Sequence, residues 1–531
     1  MTDTSLNPFV GATYASALRE IAGRFGDNVA LVYSGRRWTF SEVLQEIDRA
    51  AARLWSLGLR AGDKVSIWLP NRPEFLWYWL GASRSGLVAV VLNTRLKADE
   101  AAYQIGQSDS VAVIVPGDGA FRDFLGDVMS IRDALPMLRH VIALDPTSAS
   151  DVIVWPAAGD ETLRPALEAS DPEAPALISY SSGTTALPKG ALITHCVFRK
   201  AWDIGIRVDM TERDRLIMAI PLFGSMAMMN GILPFWARGA GVVLAERFDT
   251  DSFTALVQEE RCTMAHLLPP MILALARLPD VEIARLASLR VGFVLSNDQE
   301  ILALVADRLR IAGVMTGYGL TEFTTVATRN RWDDPREARF ETQGYALPDV
   351  EIRVVDPETG ADCAPGTVGE VLLRGYCLMK GYYKKPAETA RAIDKDGWFH
   401  TGDGAFLRAD GRLTFCYRLG DGYKTNGFNV APAEIESAIR RHPDVADVAV
   451  YGRRDPAAGE VGVACIVPRE GAGIEEAAML DFLRPILASY KMPRHVVSVP
   501  TLPRTAGTGK VQLFALREQV EPSLPKVKAL A

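Results

Sequence analysis

Histidine and cysteine are scarce in this chain, six of each among 531 residues. The cysteines (Cys196, Cys262, Cys363, Cys377, Cys416 and Cys465) are scattered and form no C-x-x-C pair. That excludes a disulfide-dense scaffold and speaks against a metal site; reduced thiols in a cytosolic protein are the expectation. The start, Met1-Thr2-Asp3-Thr4-Ser5, has neither the basic nor the apolar region of a signal peptide. No apolar run is long enough to span a bilayer, so no transmembrane segment is expected and the expected location is cytoplasmic. Positive charge is not in excess either: 58 basic residues face 65 acidic ones, a net −7, which argues against a nucleic-acid partner. Internal repeats and low-complexity tracts are missing.

What is present is ordinary for a globular enzyme, with 48% hydrophobic and 23% charged residues. The length exceeds what one core supports and implies about two to four domains. Along residues 12–116 helix and strand signals alternate. Ser41 is placed to cap a helix with apolar positions at Val43, Leu44, Ile47, Ala51, Leu54 and Leu57, ended by Gly58. Val65–Leu69, Phe75–Ser83 and Leu87–Leu92 read as strand, helix and strand, the spacing of a parallel α/β unit. Residues 118–170 read as a variable connection.

The stretch Tyr180-Ser181-Ser182-Gly183-Thr184-Thr185-Ala186-Leu187-Pro188-Lys189-Gly190 stands apart. It carries four Ser/Thr hydroxyls, two glycines and a lysine, with no acid, between the strand-like segments Ala176–Tyr180 and Ala191–Thr194. Such a loop can wrap phosphate oxygens, because Gly lets the backbone approach and Lys adds a point charge. It is not a Walker loop, which needs G-x-x-x-x-G-K-[ST] opening a helix. A surface Ser/Thr/Gly linker is the bland alternative. Later come Tyr318-Gly319-Leu320-Thr321-Glu322, an aromatic ring followed by a carboxylate able to hold Mg²⁺, then His400-Thr401-Gly402-Asp403, Arg418, and Leu502-Pro503-Arg504-Thr505-Ala506-Gly507-Thr508-Gly509-Lys510.

Taken in order, these segments resemble the AMP-forming acyl-CoA synthetase family, whose superfamily includes peptide-synthetase adenylation domains and luciferases. The resemblance covers nearly the whole chain. It implies an α/β fold: a large N-terminal multi-subdomain α/β region with a β subdomain, plus a small mobile α+β C-terminal domain. The implied boundaries are 1–418 for the AMP-binding domain, 419–422 for a hinge containing Gly420 and Gly422, and 423–531 for the mobile domain. The segment Gly381-Tyr382-Tyr383 is read as part of the β subdomain.

The resemblance also implies roles. Ser181, Ser182, Gly183, Thr184, Thr185 and Lys189 would cradle the ATP phosphates. Tyr318 and Gly319 would pack on adenine, Thr321 would contact the α-phosphate side, and Glu322 would bind Mg²⁺. Asp403 and Arg418 would hold the ribose, Gly427 would line the coenzyme A tunnel, and Lys510, with Thr184 and Glu322, would serve adenylation. Phe223, Gly224, Met228 and Asn297 would line the acid pocket. His195 reads as a cap or packing residue rather than a catalyst.

The chain departs from the family at Ala186, Gly224, the Leu295–Gln299 turn, Gly420 and one extra residue before Lys510. The implied activity is an AMP-forming acid–CoA ligase using ATP, Mg²⁺ and coenzyme A, with a medium- or long-chain fatty acid as the expected substrate. An aryl or polar acid is an alternative. So is an amide ligase passing the acyl-AMP to an amine, and so is a degenerate adenylate-binding protein, against which Lys189, Glu322, Asp403 and Lys510 together speak. Monomer and homodimer stay open.

Overall fold

The computed structural model describes residues 7–155, 168–181, 188–419, 422–425, 428–430, 432–455, 458–487, 491–505 and 511–525. The chain divides into two compact units. One takes in residues 1–352, 373–400 and 410–414, the other residues 353–372, 401–409 and 415–531.

The first unit is built on two seven-stranded sheets. One runs Ile153–Val154, His140–Ala143, Ser110–Val115, Lys64–Ile67, Val88–Val91, Leu177–Ser181, Lys189–Ile193; the other runs Gly313–Met315, Val291–Val294, Met264–Leu267, Arg215–Met218, Gly241–Leu244, Val29–Tyr33, Arg36–Thr39. Each is parallel except for one antiparallel hairpin at its edge. Parallel strands need covering on both faces, and their runs are accordingly apolar throughout, as in Val88–Val91 and Gly241–Leu244, all buried. Ligands of such sheets lie outside the carboxyl ends of the strands.

The parallel unit expected between Val65 and Leu92 is present: Lys64–Ile67 pairs in parallel with Val88–Val91 across the helix Pro73–Arg84. The preceding helix, Phe40–Ser56, buries Val43, Ile47, Ala51 and Leu54, but its cap is Thr39 rather than Ser41. The reason is a reciprocal box: the Thr39 hydroxyl accepts the Glu42 N–H, and the Glu42 carboxylate accepts the Thr39 N–H. Gly81 lets the helices cross closely, since a Cβ there would lie 2.9 Å from the Ile47 carbonyl oxygen. Residues 118–170 are more than a connection. They hold the helix Phe124–Ile131 and the strands His140–Ala143 and Ile153–Val154, which extend the first sheet. Strands of four and two residues are too short to declare a periodicity.

A small sheet of Gly317–Tyr318, Thr328–Arg329 and Tyr345–Ala346 completes the first unit. The second unit contains the greater part of a four-stranded sheet of order Val350–Val355, Gly369–Gly375, Phe399–Leu407, Leu413–Arg418. It also contains an α+β portion. There Val445–Asp455 and Gly459–Pro468 form a long antiparallel ribbon, with the helices Pro432–Arg440, Glu476–Leu483 and Leu513–Val520. The fold is thus the large α/β region with a smaller C-terminal α+β part that the sequence implied. Among the described residues no helix is long and apolar enough to cross a membrane.

Candidate active site

The hydroxyl-rich loop joins two paired strands. Leu177–Ser181 and Lys189–Ile193 run antiparallel with Ser181 opposite Lys189, as the two arms of a hairpin. Its residues 182–187, with Ser182, Gly183, Thr184, Thr185 and Ala186, lie outside the described residues. The helix Ala98–Gln107 braces its base: Tyr103 Oη donates to the Pro188 carbonyl at 3.1 Å, and Tyr180 Oη donates to Gln107 Oε1 at 2.6 Å.

The Gly381-Tyr382-Tyr383 segment does not belong to a β subdomain. It lies against this hairpin: Leu192 N donates to the Gly381 carbonyl, Tyr383 N donates to the Gly190 carbonyl, and Tyr382 bridges Ala191. The Lys189 ammonium sits 4.4 Å from the Tyr382 ring centroid, and Tyr382 Oη donates to Glu322 Oε1 at 2.9 Å. Glu322 is 8% exposed, and its Oε2 has no hydrogen-bond partner among the described residues. Lys189, Tyr382 and Glu322 therefore form one chain of contacts.

The Glu322 turn is tightly held. Gly319 is required where it stands, because a Cβ would lie 1.7 Å from the Thr325 carbonyl oxygen. Thr324 and Thr325 take left-handed backbone at φ 55° and 74°, costly for β-branched residues. Thr324 Oγ1 donates to the Cys377 carbonyl at 2.6 Å, and the fully buried Lys200 ammonium donates to the Phe323 carbonyl. Desolvation lowers the Lys200 pKa, offset in part by the neighbouring Cys377 and Cys196. Tyr318, 7% exposed, pairs with Thr328 in the small sheet; Thr321 is half-buried in the turn.

In the segment expected to line the acid pocket, Phe223, Gly224 and Met226 are half-buried, while Met228 and Met229 lie fully in the core. Met228–Ile232 is a single π turn, a distortion common at functional sites. Asn297 is exposed and accepts from Gln343 Nε2 at 3.0 Å; Asp298 caps the helix Gln299–Ala303. The polar turn at Leu295–Gln299 thus starts a helix. His195 is buried, and its Nδ1 accepts the Tyr14 backbone N–H at 3.0 Å; burial pushes it down to about 4, so it is neutral and packed.

In the second unit Arg418 Nη1 meets Asp403 Oδ1 at 3.0 Å. Gly402, at φ +69°, donates its N–H to Glu370 and accepts from Leu419 N. Arg504 bridges Val511 antiparallel and pairs with Asp447 at 2.5 Å, closing the base of the segment that carries Lys510. Lys510, Gly420 and Gly427 lie outside the described residues.

Two residues carry more than the sequence disclosed. Tyr382 stood in a quoted segment but without a role. Lys200 had a visible signal: it interrupts the apolar face Val197, Ala201, Ile204 of the helix Val197–Arg207, where a charge must be buried and paired.

Two mostly parallel sheets, a hydroxyl- and lysine-bearing hairpin loop and a buried carboxylate chained to it define an adenylate-forming enzyme. The AMP-binding enzyme family matches residues 18–383 and its C-terminal domain matches residues 434–510. A putative acyl-CoA synthetase, YngI of Bacillus subtilis, is 31% identical over 96% of this chain and 97% of its own. Among solved structures, the anthranilate CoA ligase AuaEII with anthranoyl-AMP superposes with a TM-score of 0.85 at 26% identity, covering 98% of this chain and 99% of that one. The amide bond synthetase McbA of Marinactinospora thermotolerans gives 0.83 at 26% identity, covering 95% and 99%. The chain belongs to the AMP-forming acyl-CoA synthetase family and is an AMP-forming ligase.

Proposed function

We propose that this protein activates a carboxylic acid with ATP, releasing pyrophosphate, and passes the acyl group to coenzyme A. The observation that carries this reading is the Glu322 carboxylate, buried, held on one oxygen by Tyr382 and open on the other, beside the hairpin of Lys189. A site with one carboxylate suits Mg²⁺, which takes one or two carboxylates together with substrate phosphates. Among the described residues no cluster of three acidic, His or Cys ligands exists that would bind a metal without ATP. Bound there, Mg²⁺ would neutralise phosphate charge.

The chain's own residues do the rest. Ser181, Ser182, Gly183, Thr184, Thr185 and Lys189 donate to the phosphates. Tyr318 and Gly319 receive adenine, Thr321 the α-phosphate side, and Asp403 with Arg418 the ribose. Lys510 meets the charge that grows as the acid attacks the α-phosphate. The domains 1–418 and 423–531 turn about the hinge 419–422, exchanging Lys510 for Gly427, beside which the thiol of coenzyme A enters. Phe223, Gly224, Met228 and Asn297 border the acid. The apolar residues Met228, Met229, Ile232, Leu233 and Phe235 around it support a fatty or aryl acyl group. Six free thiols suit a reducing cytoplasm.

The test is pyrophosphate release with ATP and Mg²⁺ across fatty, aryl and short polar acids, each with and without coenzyme A. Acid-dependent release that consumes the thiol is expected. Likeness to an amide bond synthetase favours a second reading, transfer to an amine; acyl-AMP formed but untouched by coenzyme A and consumed by amines would replace the first.

A further inference from the structure

Arg329 is 3% exposed, and its surroundings leave it incomplete. Its Nη2 donates to Asn230 Oδ1 at 2.8 Å and its guanidinium lies 4.8 Å from the Phe293 ring centroid. Its Nε and Nη1 are buried without a hydrogen-bond partner among the described residues. Among the described residues no carboxylate answers its charge. The charged neighbour that acts on it is another cation, Arg207, and burial together with Arg207 pulls it down to about 9. His266 lies alongside, fully buried, stacked on the other ring contact of Phe293 at 4.7 Å and 22°. The Asn230 backbone takes a weak hydrogen bond from one ring nitrogen, and the imidazole has no close partner among the described residues. Burial first, then the Arg329 charge, hold it neutral, down to about 3, against a smaller opposing effect of the Asn230 backbone. Buried polar groups are normally satisfied, and the two unmet nitrogens of Arg329, beside a weakly bonded imidazole, call for an absent group.

The position says what group. Arg329 is register-paired with Gly317, one step from the Tyr318–Thr328 pair on the proposed adenine strand. Asn230 stands in the π turn of the proposed acid wall. His266 and Phe293 are opposite each other on adjacent strands whose carboxyl ends lead to Pro269 and to the Leu295–Gln299 turn. The cluster therefore lies between adenylate and acyl positions, among Met218, Met226 and Gly231. A neutral imidazole offers one N–H donor, and a guanidinium offers donors and a full charge. An apolar acyl chain would meet neither need.

We propose that Arg329, with His266, receives a second carboxylate on the acid substrate, so that this enzyme prefers dicarboxylic acids with an apolar body between the two groups. This rests on the acid–ligase reading. A carboxylate supplies both the negative charge and the acceptor oxygens that the guanidinium lacks.

The experiment compares kcat/KM for pyrophosphate release by the full chain with matched pairs, each monocarboxylic acid beside its distal-carboxy counterpart in aliphatic and aryl series, with keto acids as neutral acceptors. The diacids are expected to lead by at least about tenfold, because a site built on hydrogen bonds rejects an analogue that leaves them unmade. Arg329→Met should reverse the order and Arg329→Lys should retain part of it. If monoacids or keto acids react as well as diacids, or if Arg329→Met keeps the preference, the proposal falls while the ligase reading stands. If no acid releases pyrophosphate, the ligase reading itself fails and takes this one with it. Should Arg329→Met not fold, the wild-type comparison decides alone.

Discussion

The Tyr382 hydroxyl donates to Glu322 Oε1 at 2.9 Å across sixty positions of sequence, and the Lys189 ammonium lies over the same ring at 4.4 Å. Tyr382 thus ties the hairpin of Lys189 to the Glu322 carboxylate. It fixes one oxygen of Glu322, and the other has no hydrogen-bond partner among the described residues. A buried hydrogen bond to a charged group contributes about 1.5–3 kcal/mol.

Glu322→Gln removes the charge and should lower acid-dependent pyrophosphate release by about a hundredfold or more. Tyr382→Phe keeps the charge and the ring, and should cost only about tenfold, partly recovered at high Mg²⁺. Titrating Mg²⁺ in both variants distinguishes them. A Phe variant more damaged than the Gln variant would mean that Tyr382, rather than Glu322, carries the chemistry.

Gly319 is the steric key of the same turn. Alanine there forces its Cβ into the Thr325 carbonyl, 1.7 Å away, which backbone must move to relieve. The left-handed Thr324 and Thr325 would lose their setting, and Glu322 with them. Gly319→Ala should therefore depress adenylation at least about tenfold with a lowered Tm. Gly473→Ala, where nothing lies within 4 Å, should change stability by no more than about 0.5 kcal/mol. Equal melting shifts in the two variants, read by calorimetry, would contradict this.

Much of this was legible because the chemistry is local. The hydroxyl-rich loop announces itself in eleven consecutive residues, and its flanking strands fall where apolar runs placed them. The parallel unit at Lys64–Val91 was legible from period and length. What escaped depends on distant pairing. Tyr382 reaches Glu322 only because residues 380–383 fold back on the strand Lys189–Ile193. Asn230 and Arg329, ninety-nine positions apart, meet across two elements. Thr39 displaced Ser41 as a helix cap because a glutamate three residues on completed its box, a local cue that a search for the apolar run alone passes over. Asp298 shows the converse: a polar residue suggestive of substrate is spoken for by helix capping.

His195 should make the protein acid-labile. Its folded pKa is about 4 against an ordinary 6.5, because burial disfavours the imidazolium. Below pH 6.5 the unfolded chain binds a proton that the folded one refuses, so stability falls as pH drops and the loss levels off below about pH 4. By pH 5 this one group costs up to about 2 kcal/mol relative to pH 7. Urea unfolding of His195→Gln at the two pH values should show a smaller difference than wild type, whatever its absolute stability. An unchanged difference would mean that His195 is protonated in the fold, and that the Tyr14 N–H bond to its Nδ1 is not what holds it.

The last prediction concerns the two half-reactions. Lys510 lies outside the described residues, between Arg504, which pairs with Asp447, and Val511, which bridges Arg504. If it neutralises charge at the α-phosphate only while the acid attacks, Lys510→Ala should lower acyl-AMP formation by about a hundredfold or more. Thioester formation from supplied acyl-AMP and coenzyme A should persist within about threefold, since that step has already lost pyrophosphate and its charge. Gly427→Trp should do the reverse, blocking transfer and sparing adenylation. Measuring both half-reactions in both variants turns the proposed domain exchange into a crossed pattern. Parallel losses in the two variants would instead place Lys510 and Gly427 in a common structural role, and the hinge at 419–422 would lose its purpose.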